Sequence, residues 1–279
     1  MTKEELNLPQ VQVNFHRPLP EACRLLVLGG RPPATNWLQA LLEQSPAPKL
    51  WAIDHGVDAC RSASALPDVL LGDADSAAPE NWSWGAAHAA VTERHPPEKD
   101  LTDTQLALAR AAEQAPAVLL LTGAFGGRFD HAFSTVFSAA QQPGTCLLAD
   151  DREILLFVRG GEQISIHCLQ APAAISLLPL TERVQGVTLT GTHWPLVDAS
   201  LIQAKPYAVS NVLAADANTI DVHIRQGILG VHLVFESASD TLHCPSKEHG
   251  EHRSSCRSLS VCDADEPPRK AQQQTIPQR

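Results

Sequence analysis

At 279 residues the chain suits one large domain or two smaller ones with an ample core, and 44% of it is hydrophobic, as in ordinary globular proteins. Its net charge of −10, from 31 acids against 21 bases, argues against a nucleic-acid partner, and no apolar run approaches the roughly 20 residues needed to span a bilayer. Seven irregularly spaced cysteines make no disulfide framework, and the acid-bearing start Met1-Thr2-Lys3-Glu4-Glu5 lacks an export signal, so the expected location is cytoplasmic.

In chain order, residues 1–20 read as a flexible N-terminal segment. Residues 21–150 alternate short apolar strands with helical patterns: strands at Arg24–Leu28, Leu50–Ile53, Val69–Leu71, Ala87–Val91, Ala117–Leu121 and Thr145–Ala149, helices at Asn36–Glu43, Thr102–Glu113 and Asp130–Gln141. Thr102 and Gln105 make a capping-box pattern that puts Asp103 in the first helical turn. Such alternation predicts an α/β domain with a doubly wound, mostly parallel sheet. Residues 151–236 show no helix but seven strand-like runs punctuated by glycine, which predicts a small antiparallel β-sandwich domain. Residues 237–279 contain no aromatic residue and read as a disordered tail. They hold six acids and six bases, so the whole acidic excess falls in residues 1–236. His243, Cys244, His249, His252, Cys256 and Cys262 lack the spacing of a zinc site.

Three clusters carry the chemistry: Gly72-Asp73-Ala74-Asp75-Ser76, Glu98-Lys99-Asp100-Leu101-Thr102-Asp103 and Gly126-Gly127-Arg128-Phe129-Asp130-His131. The first and third directly follow strand-like runs, and loops leaving the carboxyl ends of parallel strands meet in one crevice. Carboxylates gathered there repel one another unless a hard cation, typically Mg²⁺, holds them. Asp73 and Asp75, two apart, leave an extended segment on the same side, although Gly, Asp and Ser are also ordinary turn formers. Lys99 and Arg128 suit phosphate oxygens. Asp54, in Asp54-His55-Gly56 after the second strand, can face a nucleotide or the metal. The glycine-rich run Gly123 to Gly127 lacks the Gly-Lys-Ser/Thr ending of a P-loop. These features together read as a Mg-nucleotide enzyme. Gly29-Gly30-Arg31 is a weaker signal of the same kind, as compatible with a simple turn.

With those residues in view the chain resembles the thiamine pyrophosphokinases (thiamine diphosphokinases) of bacteria. The likeness runs from about residue 24 to 236 and rests on the elements above in their order, joined by Ser176-Leu177-Leu178-Pro179-Leu180, Gly191-Thr192-His193-Trp194-Pro195-Leu196 and Ser210-Asn211. The resemblance implies transfer of the terminal pyrophosphoryl unit of ATP to the thiamine hydroxyl, giving thiamine diphosphate and AMP, in a homodimer whose sites form at the subunit interface. It implies Asp73, Asp75 and Asp103 as Mg²⁺ ligands with Asp100 nearby, and Asp54, Lys99, Thr102 and Arg128 on ATP. It places Asp130 as proton acceptor at the thiamine hydroxyl, so that Asp100, Asp130 and Arg128 form the catalytic set. It makes Trp194, Ser210 and Asn211 the thiamine pocket, from the partner subunit. A tryptophan face and hydrogen-bonding Ser and Asn suit an aromatic cation, though Trp194 packed between sheets is the plainer alternative. Two rivals are a diphosphokinase for another hydroxymethyl heterocycle, such as a pterin, and a non-catalytic Mg-nucleotide-binding protein. One departure stands out: the family's Asp-Gly-Gly element carries His55 in place of its first glycine.

Overall fold

A computed structural model describes residues 3–44, 46–96 and 98–236. Fifteen strands among them make two sheets. The larger begins with β3 (Cys23–Val27), β4 (Lys49–Ile53), β5 (Val69–Gly72) and β6 (Val91–Arg94), laid down outwards in parallel. The chain then returns to the other side of β3 with β7 (Val118–Thr122) and β8 (Cys146–Ala149). This reversal between β3 and β7 opens a crevice outside their carboxyl ends. The strands are near-continuous apolar runs because both faces of the sheet are covered. Leu25 and Val27 serve one core and Leu26 and Leu28 the other, following the two-residue period of a strand.

Five helices cover these faces: α1 (Thr35–Leu42), α2 (Gly56–Ser62), α3 (Pro79–His88), α4 (Asp103–Ala112) and α5 (Phe129–Ala140). Thr102 caps α4 by accepting a hydrogen bond from Gln105 N (3.2 Å), and Gln105 Oε1 accepts from Thr102 N (3.0 Å), completing the expected capping box. None of the 21–150 expectations anticipated α2 or α3. The run Ala87–Val91, expected as a strand, instead ends α3 and begins β6. Pro79 at the first helical position and Glu80 in the first turn start α3, and its alanines are helix formers rather than strand formers.

The strand-like runs after residue 150 all form strands, but in two layers. β10 (Gln163–Cys168), β12 (Arg183–Thr190), β13 (Leu196–Ile202) and β14 (Thr219–His223) build a six-stranded antiparallel sheet with β1 (Glu5–Asn7) and β2 (Val11–Asn14). β9 (Glu153–Arg159), β11 (Ala174–Pro179) and β15 (Ile228–Val234) extend the large sheet past β8 by antiparallel pairing. Ile164, Ile166 and Val222 of one sheet and Ile175, Leu177 and Val231 of the other share a single core, so the second sandwich layer is a wing of the nine-stranded sheet. Two expectations are corrected here. Of the segment expected to be flexible, residues 3–20 are not loose: β1 pairs with β2 and β2 with β10, and Leu6, Leu8, Val11, Val13, Phe15 and Leu19 are buried. Residue 150 marks a change of texture but no break in the sheet, because β8 pairs directly with β9. The tail of residues 237–279 and its Cys and His residues lie outside the described residues. No helix among the described residues is long and apolar enough to cross a membrane.

Candidate active site

Two strand ends bring the first carboxylates together. Asp54 leaves β4 with φ +48° and donates its N–H to Leu71 O of β5 (2.8 Å), which draws the two strand-end turns side by side. Asp73 follows β5 and is buried, while Asp103 projects from the first turn of α4. One carboxylate oxygen from each of Asp54, Asp73 and Asp103 lies within 4.8 Å of the others. Lys99 stands between two of them, its Nζ 2.6 Å from Asp73 Oδ2 and 3.2 Å from Asp103 Oδ1.

The electrostatics follow from the crowding. Burial alone would raise the Asp73 carboxyl, but hydrogen bonds from Lys99 and Asp75, with the Lys99 charge, hold it below the ordinary aspartate range. Asp75 is pushed upward by its hydrogen bond to Asp73, by desolvation and by the charges of Asp73, Asp54 and Asp103. Asp103 is raised chiefly by burial, against the pull of Lys99 and with Asp73 and Asp54 adding repulsion. Burial opposes the charge on Lys99, yet its bonds to Asp73 and Asp103 raise it. One ammonium among four carboxyls leaves an excess of negative charge.

A small divalent cation fits this donor set. All ligands are hard oxygens; Asp54 Oδ1 is buried without accepting any hydrogen bond, and Asp103 Oδ1 has only the 3.2 Å ion pair with Lys99. The triad differs from the expected set in one member: Asp54 joins Asp73 and Asp103, whereas Asp75 is solvent-exposed, its N–H donating to Asp73 Oδ1 (3.2 Å). Sequence reasoning named Asp54 for the nucleotide or the metal but had no means of choosing. Ser76, which follows Asp75 in the first cluster, donates its hydroxyl to Asp54 Oδ2.

Beside this cluster lie two glycine loops at the switch point. Gly30 N donates to Gly123 O (2.8 Å) and Arg31 N to Phe125 O (2.6 Å), which ties the loop after β3 to the loop after β7. The Arg31 side chain reaches the fully buried Asp150 (2.6 Å) and Glu153 (2.8 Å), and His232 closes the network on Glu153 (2.9 Å). Its members run from Arg31 to His232, and of the four only Arg31, in Gly29-Gly30-Arg31, carries any local signal. Arg128 and Asp130 form an exposed two-point ion pair (3.1 and 2.6 Å) at the start of α5. Asp100 is exposed and makes no hydrogen bond or ion pair among the described residues. The Thr102 hydroxyl is engaged in its cap.

In the connection between β12 and β13, Trp194 is 61% exposed and is not packed between sheets. The buried Asn211 clasps its backbone, accepting from Trp194 N (3.1 Å) and donating to Trp194 O (2.7 Å). Ser210, exposed at φ +58°, donates its N–H to Ser176 Oγ (3.0 Å). The three expected pocket residues are therefore one local unit, with the indole offered to solvent and the amide of Asn211 holding it there.

Comparison with known proteins covers both layers. Residues 40–146 match the family model for the thiamin pyrophosphokinase catalytic domain and residues 163–229 that for the thiamin pyrophosphokinase vitamin B1 binding domain, together more than half of the chain. The chain is 27% identical over 184 residues to the thiamine pyrophosphokinase of Bacillus subtilis (strain 168), covering 64% of this chain and 85% of that protein. It is 29% identical over 161 residues to thiamine pyrophosphokinase 1 of rice, Oryza sativa subsp. japonica, covering 53% of this chain and 59% of the rice protein. The crystal structure of the B. subtilis protein superposes with a TM-score of 0.67 at 21% identity, over 78% of this chain and all of that one. That of thiamin pyrophosphokinase from Geobacillus thermodenitrificans gives 0.63 at 25% identity, over 78% of this chain and 99% of the other.

Proposed function

Because this chain belongs to the thiamin pyrophosphokinase family, we propose the following reading of its crevice. It is an ATP-dependent thiamine diphosphokinase, moving the terminal pyrophosphoryl unit of ATP to the thiamine hydroxyl and releasing AMP. The observation that carries the site assignment is the meeting of Asp54, Asp73 and Asp103 within 4.8 Å at the strand ends. The match over residues 163–229 to a vitamin B1 binding domain disfavours a pterin substrate.

Asp54, Asp73 and Asp103 would hold Mg²⁺, with Asp75 at the edge of the set. When bound, the ion neutralises phosphate charge and fixes the triphosphate for in-line displacement. The chain's own groups do the rest. Lys99 keeps Asp73 ionised and stands ready for a phosphate oxygen. Thr102 orients the start of α4, whose positive dipole end favours phosphate. Arg128 offers a planar fork to the transferred group. The thiamine oxygen attacks the β-phosphorus, the bond from that phosphorus to the oxygen bridging to the α-phosphate breaks, and AMP leaves with the bridging oxygen. Asp130 accepts the hydroxyl proton once phosphate has drawn Arg128 away from it. Positioning and charge neutralisation supply most of the rate.

Trp194 stacks on the thiamine ring, held by Asn211 and flanked by Ser210. We assign it to the site of a partner subunit in a homodimer, on the strength of its exposure far in sequence from the carboxylates. The location we propose is cytoplasmic. The experiment is AMP release from Mg-ATP with and without thiamine. AMP that forms only when thiamine is present is the expected result, and AMP formation indifferent to thiamine overturns the reading.

A further inference from the structure

His55 stands where the sequence departs from the family's glycine, and its surroundings give it work. Its φ of −56° is ordinary helical backbone, so no glycine is needed there and a side chain is free to act. The Nδ1 atom lies 3.0 Å from Ser76 O and 3.3 Å from Asp58 Oδ2. Both oxygens can only accept, so the proton is on Nδ1, shared between them. Ser76 in turn donates its hydroxyl to Asp54 Oδ2. Asp54 and His55 are chain neighbours, so the contacts close a ring: Asp54 is gripped by the Ser76 side chain, and the Ser76 backbone is gripped by His55.

The loop opposite leaves room for a side chain at this position. A Cβ on Gly29 would lie 2.9 Å from His55 Cβ, although Gly29 is not among the residues with left-handed backbone. Gly29 is therefore required for room, and the room is filled by His55. The ring also braces a turn with little else to hold it. Ala74 sits at φ +66°, and the bond from Asp75 N to Asp73 Oδ1 is long at 3.2 Å.

We propose that His55 is a positioning residue for the divalent cation, clipping the Asp54 turn to the Asp73–Ser76 turn so that the ligand set is closed before the ion arrives. The inference rests on the metal-site assignment above and adds a residue that does not touch the ion. A set held in its bound geometry loses less conformational entropy on binding than a loose one.

The test is Mn²⁺ binding to the metal-free full-length protein without nucleotide, followed by electron paramagnetic resonance, with melting of each metal-free variant measured alongside. H55G is expected to bind Mn²⁺ about fivefold to tenfold more weakly, as befits one lost hydrogen bond and a freer backbone. H55N, whose amide can still donate, is expected to stay within about twofold of the unmodified protein. G29A is expected to weaken binding in the original background and to have no effect when combined with H55G, because the clash is with His55 itself. That non-additivity survives a general loss of stability in either single variant. Equal Mn²⁺ affinity in H55G, H55N as weak as H55G, additive G29A and H55G effects, or no Mn²⁺ binding by the original protein each overturns the proposal. A protein that binds Mn²⁺ as described but releases no AMP overturns the enzymatic reading and leaves His55 in place.

Discussion

A Cβ placed on Gly72 would lie 2.9 Å from both the Cα and the Cβ of Asp54. The end of β5 and the turn after β4 touch backbone to backbone, and this approach brings Asp54 within reach of Asp73. G72A must push Asp54 outward, because neither backbone can yield locally. We expect a loss of about 1–3 kcal/mol of stability, in the range of overpacking in a tight site. Mg-dependent AMP release should fall at least tenfold, a readout that urea unfolding and the coupled AMP assay separate.

D73N and D103N should keep the fold and lose most turnover, on the order of 10²-fold or more, because each removes a charge that the triphosphate-bound cation needs. The metal-free proteins should respond differently. Asp103 is raised by burial and by like charges, so D103N relieves a strained carboxylate and should leave melting unchanged or higher. Asp73 is held down by Lys99, so D73N strands a partly buried ammonium and should melt lower. Full Mg-dependent activity in either variant would defeat the metal assignment.

K99M removes the cation that keeps Asp73 ionised. The sign is definite: Asp73 is below its ordinary value with Lys99 present, so its carboxyl rises without it. Mn²⁺ binding by K99M should therefore fail at a higher pH than in the unmodified protein as the solution is acidified. Binding curves at several pH values between neutrality and pH 4 check this. A midpoint that stays put or moves down would contradict it.

Glu153 is held at about 2, first by the hydrogen bond from His232 and then by Arg31, against desolvation. A carboxyl depressed in the folded state stabilises above its unfolded value and loses that contribution as pH falls through the folded one. Stability should thus decline between about pH 4.5 and pH 2, by roughly 2–3 kcal/mol from this group. E153Q should be less stable near neutrality and show a flatter decline. Urea midpoints at a series of pH values, compared between the two proteins, give the difference directly.

W194A should leave melting almost unchanged, since the indole is already in solvent, yet raise KM for thiamine roughly tenfold. N211A should raise KM similarly and also destabilise by about 1–3 kcal/mol, because it unpairs the backbone of Trp194 inside a buried site. If the pocket crosses a two-fold axis, mixing W194A with D130N subunits should restore roughly a quarter of normal activity through heterodimers. Mixed activity equal to the sum of the separate proteins would place Trp194 and Asp130 of one site on one chain.

Much of this was readable from local pattern. Apolar runs with turn residues after them located most strands of the large sheet, and all seven runs after residue 150 became strands. Thr102 and Gln105 announced the start of α4, and with it the place of Asp103, because a capping box is satisfied within four residues. The order of the three acidic clusters pointed to a metal-nucleotide crevice. What escaped were the helices α2 and α3, the second because the run Ala87–Val91 at its end reads as a strand, and the N-terminal strands β1 and β2, too short to declare themselves without β10 beside them.

The sequence by itself determined which chemistry the chain can perform, since residue types and their order along the strand ends are covalent facts. Only the tertiary structure decided which carboxylates share a point in space. Asp54 enters the triad and Asp75 faces solvent because β4 and β5 are neighbours and Gly72 lets their turns touch. Likewise Arg31, Asp150, Glu153 and His232 meet through the pairing of β8, β9 and β15. Contacts between segments far apart in the chain depend on the register and packing of whole strands, and no window of sequence contains that information.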